Sequence, residues 1–264
     1  MRILALLATY NEERFIANCL DHLIGQGVGV YVIDNTSTDA TVAIAERYLG
    51  RGVTGIERLP RGGTFDFKRI LQRKEALAGS LDADWFLHLD ADEIRLAPSR
   101  GQTLAEAIEA VDKAGYNAVN FQEYTFVPTA EAPDHDHAGY LQTMRWYYPF
   151  TPFSPHRMSA WKRPAGRVDL VAAGGHAVRF KGVRMCPQVF PMRHYMFLSV
   201  DHAVRKYATR RHPPAALAAG WHGWREQLDP VRITLPHEAE LRTYTGDMDL
   251  DPLRPRTSHA VIAT

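Results

Sequence analysis

The sequence predicts an α/β fold, a mostly parallel central sheet flanked by helices, with an irregular, basic C-terminal region. Two observations carry this. Apolar runs of strand length alternate with segments of helical spacing through roughly the first 125 residues, and beyond them prolines and cationic side chains replace the alternation.

Ile3 to Ala8 is a continuous apolar run that passes directly into Thr9-Tyr10-Asn11-Glu12-Glu13. It is too short for a secretory leader and reads as a buried first strand. Phe15, Ile16, Cys19, Leu20, Leu23 and Ile24 then recur at helical spacing, which makes Cys19 a core residue, and Gly25, Gly27 and Gly29 close that helix. Val30 to Ile33 forms a second strand, followed by Asp34-Asn35-Thr36-Ser37-Thr38-Asp39 and a helix carrying Val42, Ile44, Ala45, Tyr48 and Leu49, stopped by Gly50. A strand from Val53 to Leu59, a helix from Lys68 to Ala78 and a strand from Trp85 to Leu89 continue the alternation. Thr103-Leu104-Ala105-Glu106 is a capping box that opens a helix reaching Ala114, and Asn117 to Phe121 is a further strand.

From Val127 to Arg167 the pattern changes, with Pro128, Pro133, Pro149, Pro152, Pro155 and Pro164 among histidines and aromatics, so ordered, substrate-facing loops are expected there. Ser199 is placed to cap a basic helix through Arg211, closed by Pro213 and Pro214. The expected organisation is one domain in two halves, residues 1–125 and 126–264.

The 264 residues are 45% hydrophobic and 23% charged, with a formal net charge of only +1. That charge is partitioned: Arg157 to Arg211 holds twelve Lys and Arg against two acids, Asp169 and Asp201. Such a lobe attracts anions, and phosphate is expected here rather than nucleic acid. Cys19 and Cys186 are too few for a disulfide framework and lack zinc spacing, which fits a reducing, cytoplasmic compartment. No apolar stretch nears the ~18 residues needed to cross a bilayer, so any membrane contact is expected to be peripheral, on the inner face of the cell membrane.

The chemistry concentrates where strands end. Asp90-Ala91-Asp92-Glu93 closes the run Trp85-Phe86-Leu87-His88-Leu89 with carboxylates at i and i+2. An acidic pair there is either a solvated turn or a ligand for a hard cation, and oxygen donors without nearby cysteine favour Mg²⁺ or Mn²⁺ over zinc. In an open parallel sheet ligands sit outside the carboxyl ends of the strands. Thr9 to Glu12, Asp34 and Asp90/Asp92 all follow strands, so they are expected to line one crevice. No Gly-x-Gly-x-x-Gly follows the first strand, which disfavours NAD or FAD, and neither a P-loop nor a Gly-x-Ser-x-Gly elbow is present.

Three segments together, Ala8-Thr9-Tyr10-Asn11-Glu12-Glu13, Val32-Ile33-Asp34-Asn35-Thr36-Ser37-Thr38-Asp39-Ala40-Thr41 and Asp84 to Glu93, resemble family 2 glycosyltransferases of the GT-A fold. The resemblance covers about the first 125 residues, and Arg193-His194-Tyr195 with Ser199 resembles a C-terminal histidine segment of one bacterial branch. It implies transfer of a sugar from a UDP-, GDP- or dTDP-linked donor to a glycan or lipid-linked acceptor in surface-glycan or glycolipid assembly, with inversion at the anomeric carbon and Mn²⁺ or Mg²⁺ bridging the diphosphate. Asp92, with Asp90, is then expected at the cation, and Asp90 has ribose as a second possible partner. Thr9, Tyr10, Asn11 and Glu12 are expected beside base and ribose, Asp34 and Asn35 at the nucleoside, Ala91 along the donor and Arg73 against the donor from its helix.

The third protein ligand implied from the C-terminal half is His194, with His176, behind Gly174-Gly175, as the alternative and as an acceptor-side candidate. Candidates for the base that takes the acceptor proton are Asp169 and Glu123, because the acidic pair common downstream of the metal motif is missing. Trp146-Tyr147-Tyr148-Pro149-Phe150, with Phe153 and Trp161, either lines an acceptor cleft or packs a core; Trp146 and Trp161 are the acceptor-side candidates. Two other readings stay open. A glycan-binding module without turnover would keep fold and aromatics, while a nucleotidyltransferase would need a glycine-rich phosphate loop that the N-terminus does not show.

Overall fold

A computed structural model describes residues 1–208, 211, 213–214, 218 and 233–261. The order of elements is β1 (Ile3–Thr9), α1 (Ile16–Gly25), β2 (Gly29–Asp34), α2 (Thr41–Glu46), β3 (Val53–Arg58), α3 (Phe67–Ser80), β4 (Trp85–Leu89), β5 (Glu93–Arg95), α4 (Leu104–Lys113), β6 (Ala118–Phe126), α5 (Tyr140–Thr143), β7 (Trp146–Phe150), β8 (Met158–Lys162), β9 (Phe190–Tyr195), α6 (Val200–Ala203) and β10 (Arg242–Thr243). Short 3₁₀ turns at Val171–Ala173, Glu238–Glu240 and Asp247–Asp249 and a π-helix at Val204–Ala208 complete the described secondary structure.

The chain forms two compact units. The first comprises residues 1–60, 67–122 and 155–192, the second 61–66, 123–154 and 193–264. The expected division at residue 125 therefore falls inside β6, and 155–192 belongs with the N-terminal elements. Strand pairing explains this: β8 lies antiparallel between β4 and β6, matching Phe86 with Trp161 and Val119 with Ala160.

In the first unit the strands run β3-β2-β1-β4-β8-β6. β3, β2, β1 and β4 are parallel. β1 and β4 are apolar along almost their whole length because a central parallel strand is covered on both faces. α1 buries Ile16, Cys19, Leu20 and Leu23, the i, i+3, i+4, i+7 stripe of a surface helix. α4 carries the complete capping box, with Thr103 accepting from the Glu106 N–H and Glu106 from the Thr103 N–H, a motif whose Thr contributes ~1 kcal/mol. This is the α/β, GT-A-like arrangement expected, with antiparallel strands added on one side.

The second unit holds β10-β7-β6, all antiparallel, with Glu123 opposite Phe150 and Phe126 opposite Tyr147. Val127, Tyr148, Phe150, Met196, Phe197, Ala203, Tyr207 and Val261 make its core. Where loops were expected between Val127 and Arg167, the strands β7 and β8 form. Alternating large apolar side chains outweigh the local breaking tendency of Pro149, and β10 covers β7 only at Trp146 and Tyr147. Ser199 does cap α6, accepting from the His202 N–H, and the helix continues in π form to Ala208; its expected last turn at 209–211 lies partly outside the described residues.

Candidate functional site

The site is assembled by the parallel register of the first unit. Thr9 stands opposite Asp34, and Leu7 opposite Leu89, so the residues following β1, β2 and β4 reach the same carboxyl edge. At about 4.8 Å per strand, β2 and β4 are ~10 Å apart across β1. The chain winds from β1 outward to β2 and β3, then returns to place β4 on the other side of β1. The crevice at such a reversal is where open α/β sheets bind ligands. Here Thr9 to Glu12 flank it from β1 and Asp90 to Asp92 from β4.

The loops after β1 and β2 are clipped together. Asn11, at φ 55°, accepts the Thr38 N–H at 2.7 Å through Oδ1 and donates its own N–H to Ser37 Oγ at 3.0 Å. The Glu12 N–H donates to Thr41 Oγ1 at 2.8 Å and the Asn35 N–H to the Thr9 carbonyl at 2.8 Å. Asp34 is buried, and its carboxylate accepts the N–H groups of Thr36 and Ser37, both at 3.1 Å, which holds Thr36 at φ 69°. Left-handed backbone at two non-glycine residues costs energy, which these side-chain bonds offset. Among the described residues, buried Thr9 Oγ1 and Asn35 Oδ1 have no hydrogen-bond partner, although Asn35 Nδ2 donates to the Leu59 carbonyl at 2.9 Å. Buried polar atoms are usually satisfied; both of these oxygens lie at the carboxyl edge, one at the end of β1 and one just after β2.

Behind the acidic turn lies a charged network that sequence reading missed. Glu93 is buried, pairs with Arg95 at 2.7 Å and Arg157 at 3.4 Å, and accepts the Asp90 N–H at 3.2 Å. Arg95 also reaches the His88 carbonyl and lies 4.4 Å from the centre of the Phe121 ring. Lys74, fully buried on α3, donates to His88 Nδ1 at 2.7 Å and to the Leu89 carbonyl at 3.2 Å. Burial pulls the Lys74 ammonium down to about 8, against the pull of Asp90 and Glu93. Burial, reinforced by Lys74, holds His88 neutral, well below its ordinary value. Only the helical phase of Lys74, on the same stripe as Ile70, Leu71, Leu77 and Ala78, hints at this in sequence.

Asp90 is exposed where β4 ends. Desolvation by the neighbouring chain, with the charges of Glu93 and Asp92, raises its carboxyl above the ordinary value, opposed by Lys74 and Arg157. Asp92 is buried at 5% exposure. Two crowded carboxylates with hard oxygen donors fit a divalent cation that also takes ligands from a substrate diphosphate. Among the described residues no group of three or more His, Cys, Asp or Glu side chains is arranged to hold a metal ion.

Several candidates are placed elsewhere. Arg73 makes a two-pronged ion pair with Glu57, 2.6 Å at each contact, which ties α3 to β3. Trp161 is fully buried and stacked on Phe86 at 6.1 Å, a core residue instead of an acceptor platform. Trp146 remains half-buried on β7, while Tyr147, Tyr148 and Phe150 are buried. His176 stacks on His156 at 4.8 Å, in the first unit. Asp169 is exposed, its Oδ1 accepting the Ala172 N–H at 2.8 Å to start a 3₁₀ turn. Glu123 and His194 belong to the second unit, where Glu123 has no exposed surface and lies 2.6 Å from His194 Nδ1.

With this geometry in hand, comparison decides the family. The description "Glycosyl transferase family 2" matches residues 5–165, more than half of the chain. The chain belongs to glycosyl transferase family 2. Among solved structures it is similar to TarS of S. aureus, at 15% identity over 74% of this chain and 37% of that chain, with a TM-score of 0.46. The TarS 1-349 complex with UDP-GlcNAc matches at 20% identity over 49% of this chain and 34% of that one, with a TM-score of 0.35. Glucosyl-3-phosphoglycerate synthase from Mycobacterium tuberculosis, in complex with Mn²⁺, UDP and glucosyl-3-phosphoglycerate, matches at 19% identity over 46% and 44% of the two chains, with a TM-score of 0.33. The chain spans between 34% and 61% of the length of the TarS chains it matches first. Among curated proteins, none matches it. No helix of the described residues is long and apolar enough to cross a membrane.

Proposed function

We propose that this family 2 member transfers a sugar from a nucleotide-diphosphate donor to a glycan or lipid-linked acceptor, with Mn²⁺ or Mg²⁺ at the donor diphosphate. The observation that carries the reading is the Asp90-Ala91-Asp92 turn beside the chain reversal, at the same sheet edge as Thr9, Asp34 and Asn35. Thr9 and Asn35 offer oxygens to a nucleobase or ribose, and Asp34 keeps the loop that carries them in shape. Asp92, with Asp90, would hold the cation, whose charge would stabilise a leaving diphosphate. Lys74 and Glu93 hold the peptide that opens the acidic turn, Lys74 through the Leu89 carbonyl and Glu93 through the Asp90 N–H.

A lipid-linked acceptor also gives a role to residues 181–189, where Val183, Met185 and Val189 are each about 40% exposed beside Lys181 and Arg184. Apolar and cationic side chains together suit an anionic bilayer surface.

The deciding experiment is calorimetric titration with UDP, GDP, dTDP and CDP, with and without Mn²⁺, on the wild type and Asp92→Ala. Metal-dependent binding of one diphosphate, lost in the variant, is expected. A folded protein that binds none of them refutes the transferase reading and favours a glycan-binding module without turnover.

A further inference from the structure

The peptide joining Leu89 to Asp90 is gripped on both sides by buried charge. Its carbonyl accepts from the Lys74 ammonium at 3.2 Å, and its N–H donates to the Glu93 carboxylate at 3.2 Å. One residue earlier the His88 carbonyl accepts from Arg95 at 3.3 Å, and at the far end of the turn the Glu93 N–H returns to the Asp90 carbonyl at 3.2 Å. Lys74 is itself aimed by its second bond, to His88 Nδ1 at 2.7 Å, and Arg95 by its contact with the Glu93 carboxylate at 2.7 Å. All of these residues belong to the first unit.

A buried ammonium is not the most stable filling for a contact between a helix and a strand, since well-packed apolar side chains of similar volume commonly serve stability as well or better. α3 already buries Ile70, Leu71, Leu77 and Ala78 on the same stripe, so the core there does not need a charge. What the charge supplies is a fixed peptide plane at the point where β4 gives way to the exposed Asp90. It also supplies balance. Lys74, Arg95 and Arg157 stand against Asp90, Asp92 and Glu93, so the turn carries counter-charge of its own before any ligand arrives. Groups ordered in advance meet a ligand without a further cost of ordering.

We propose that Lys74 is a positioning residue: by donating to the Leu89 carbonyl, opposite Glu93 on the same peptide, it holds the Asp90-Ala91-Asp92 turn in its binding shape in the ligand-free protein and so sets the affinity for the nucleoside diphosphate of the donor. The donor half of this rests on the transferase reading above; the preformed turn does not. Lys74 has no exposed surface and acts only through the peptide it holds. A misplacement of ~1 Å in groups that position a substrate can cost about a hundredfold.

The test reads amide hydrogen exchange at Asp90 in the full, ligand-free chain labelled with ¹⁵N-aspartate, with Asp90→Asn assigning the signal. Affinity for UDP, GDP, dTDP and CDP is measured by calorimetry on the same proteins, and urea unfolding checks the fold. In the wild type the Asp90 N–H is expected to exchange at least about tenfold more slowly than an open-turn amide, as a hydrogen bond to a charged group implies. In Lys74→Met, Asp90 exchange is expected to quicken and diphosphate affinity to fall, each by about 10–100-fold, the size of one such bond. Lys74→Arg, which can still donate to the carbonyl, is expected to bind within a few-fold of the wild type. A lysine that served stability alone would leave exchange at Asp90 and affinity unchanged in the folded protein. A folded Lys74→Met with unchanged Asp90 exchange overturns the proposal, and quickened exchange with unchanged diphosphate affinity overturns the positioning role. Should neither variant fold, protection of the wild-type Asp90 N–H without ligand supports the preformed turn and its absence overturns it. A wild type that binds none of the diphosphates overturns the transferase reading and the donor half with it, while exchange at Asp90 still judges whether Lys74 holds the turn.

Discussion

Lys74 is a cation with no exposed surface, and replacing it with methionine, of similar length, should change how stability depends on pH. Its ammonium has an ordinary value of 10.5 and is held at about 8 in the folded chain, chiefly by burial. Below pH 8 both folded and unfolded chains carry the proton, and the folded state bears the full cost of the buried charge. Between pH 8 and 10.5 the folded chain releases the proton while the unfolded chain keeps it. The unfolded state then binds more protons, so stability rises with pH in that window. The interval from about 8 to 10.5, at about 1.36 kcal/mol per pH unit, amounts to ~3 kcal/mol. The tyrosines and other groups titrating there are common to both proteins and largely cancel in the difference. Urea unfolding of wild type and Lys74→Met at pH 7, 8, 9 and 10 reads it directly. The wild type should gain ~2–3 kcal/mol on the variant as pH rises from 7 towards 10.5, whichever is the more stable at pH 7. Parallel curves across that range would refute the assignment of Lys74 as a buried ammonium donating to His88 and the Leu89 carbonyl.

Three further outcomes are expected. Trp161→Ala removes a buried ring stacked on Phe86 and should cost ~3–5 kcal/mol in urea unfolding; a stable variant with altered acceptor KM would return Trp161 to the acceptor side. Gly175 has φ +78°, and an added Cβ would stand 2.9 Å from His88 Nε2 and 3.2 Å from Leu71. Gly175→Ala should therefore lower stability by at least ~1 kcal/mol, and an unchanged melting temperature contradicts that packing. The charge-reversed pair Lys181→Glu with Arg184→Glu should release the protein from vesicles containing phosphatidylglycerol, at about 1 kcal/mol per cation removed; sedimentation that ignores both anionic lipid and the substitutions removes the membrane contact.

The two halves of the molecule differ in how far the sequence exposes them. Central parallel strands such as β1 and β4 must be apolar on both faces, and the helices between them must present one stripe, so both periods are written locally. Thr103 to Glu106 and Ser199 were legible as caps because a cap is a contact within a few residues. β7 and β8 were not, since their pairing with β6 and β4 is non-local and overrides the prolines around them.

The site shows the same boundary. Thr9, Asp34, Asp90 and Asp92 announce themselves by following strands, and the parallel register brings them to one edge. By itself, then, the sequence determined the alternating α/β core, the residues of its carboxyl edge and the family to which they belong, because each depends on local period or on short motifs. Only tertiary structure decided that Arg73 belongs to Glu57, Trp161 to the core, Lys74 to the acidic turn and Glu123 to His194. Each of those is a partner choice between residues at least 15 positions apart, made by burial and charge compensation, and neither force leaves a pattern in the neighbouring sequence.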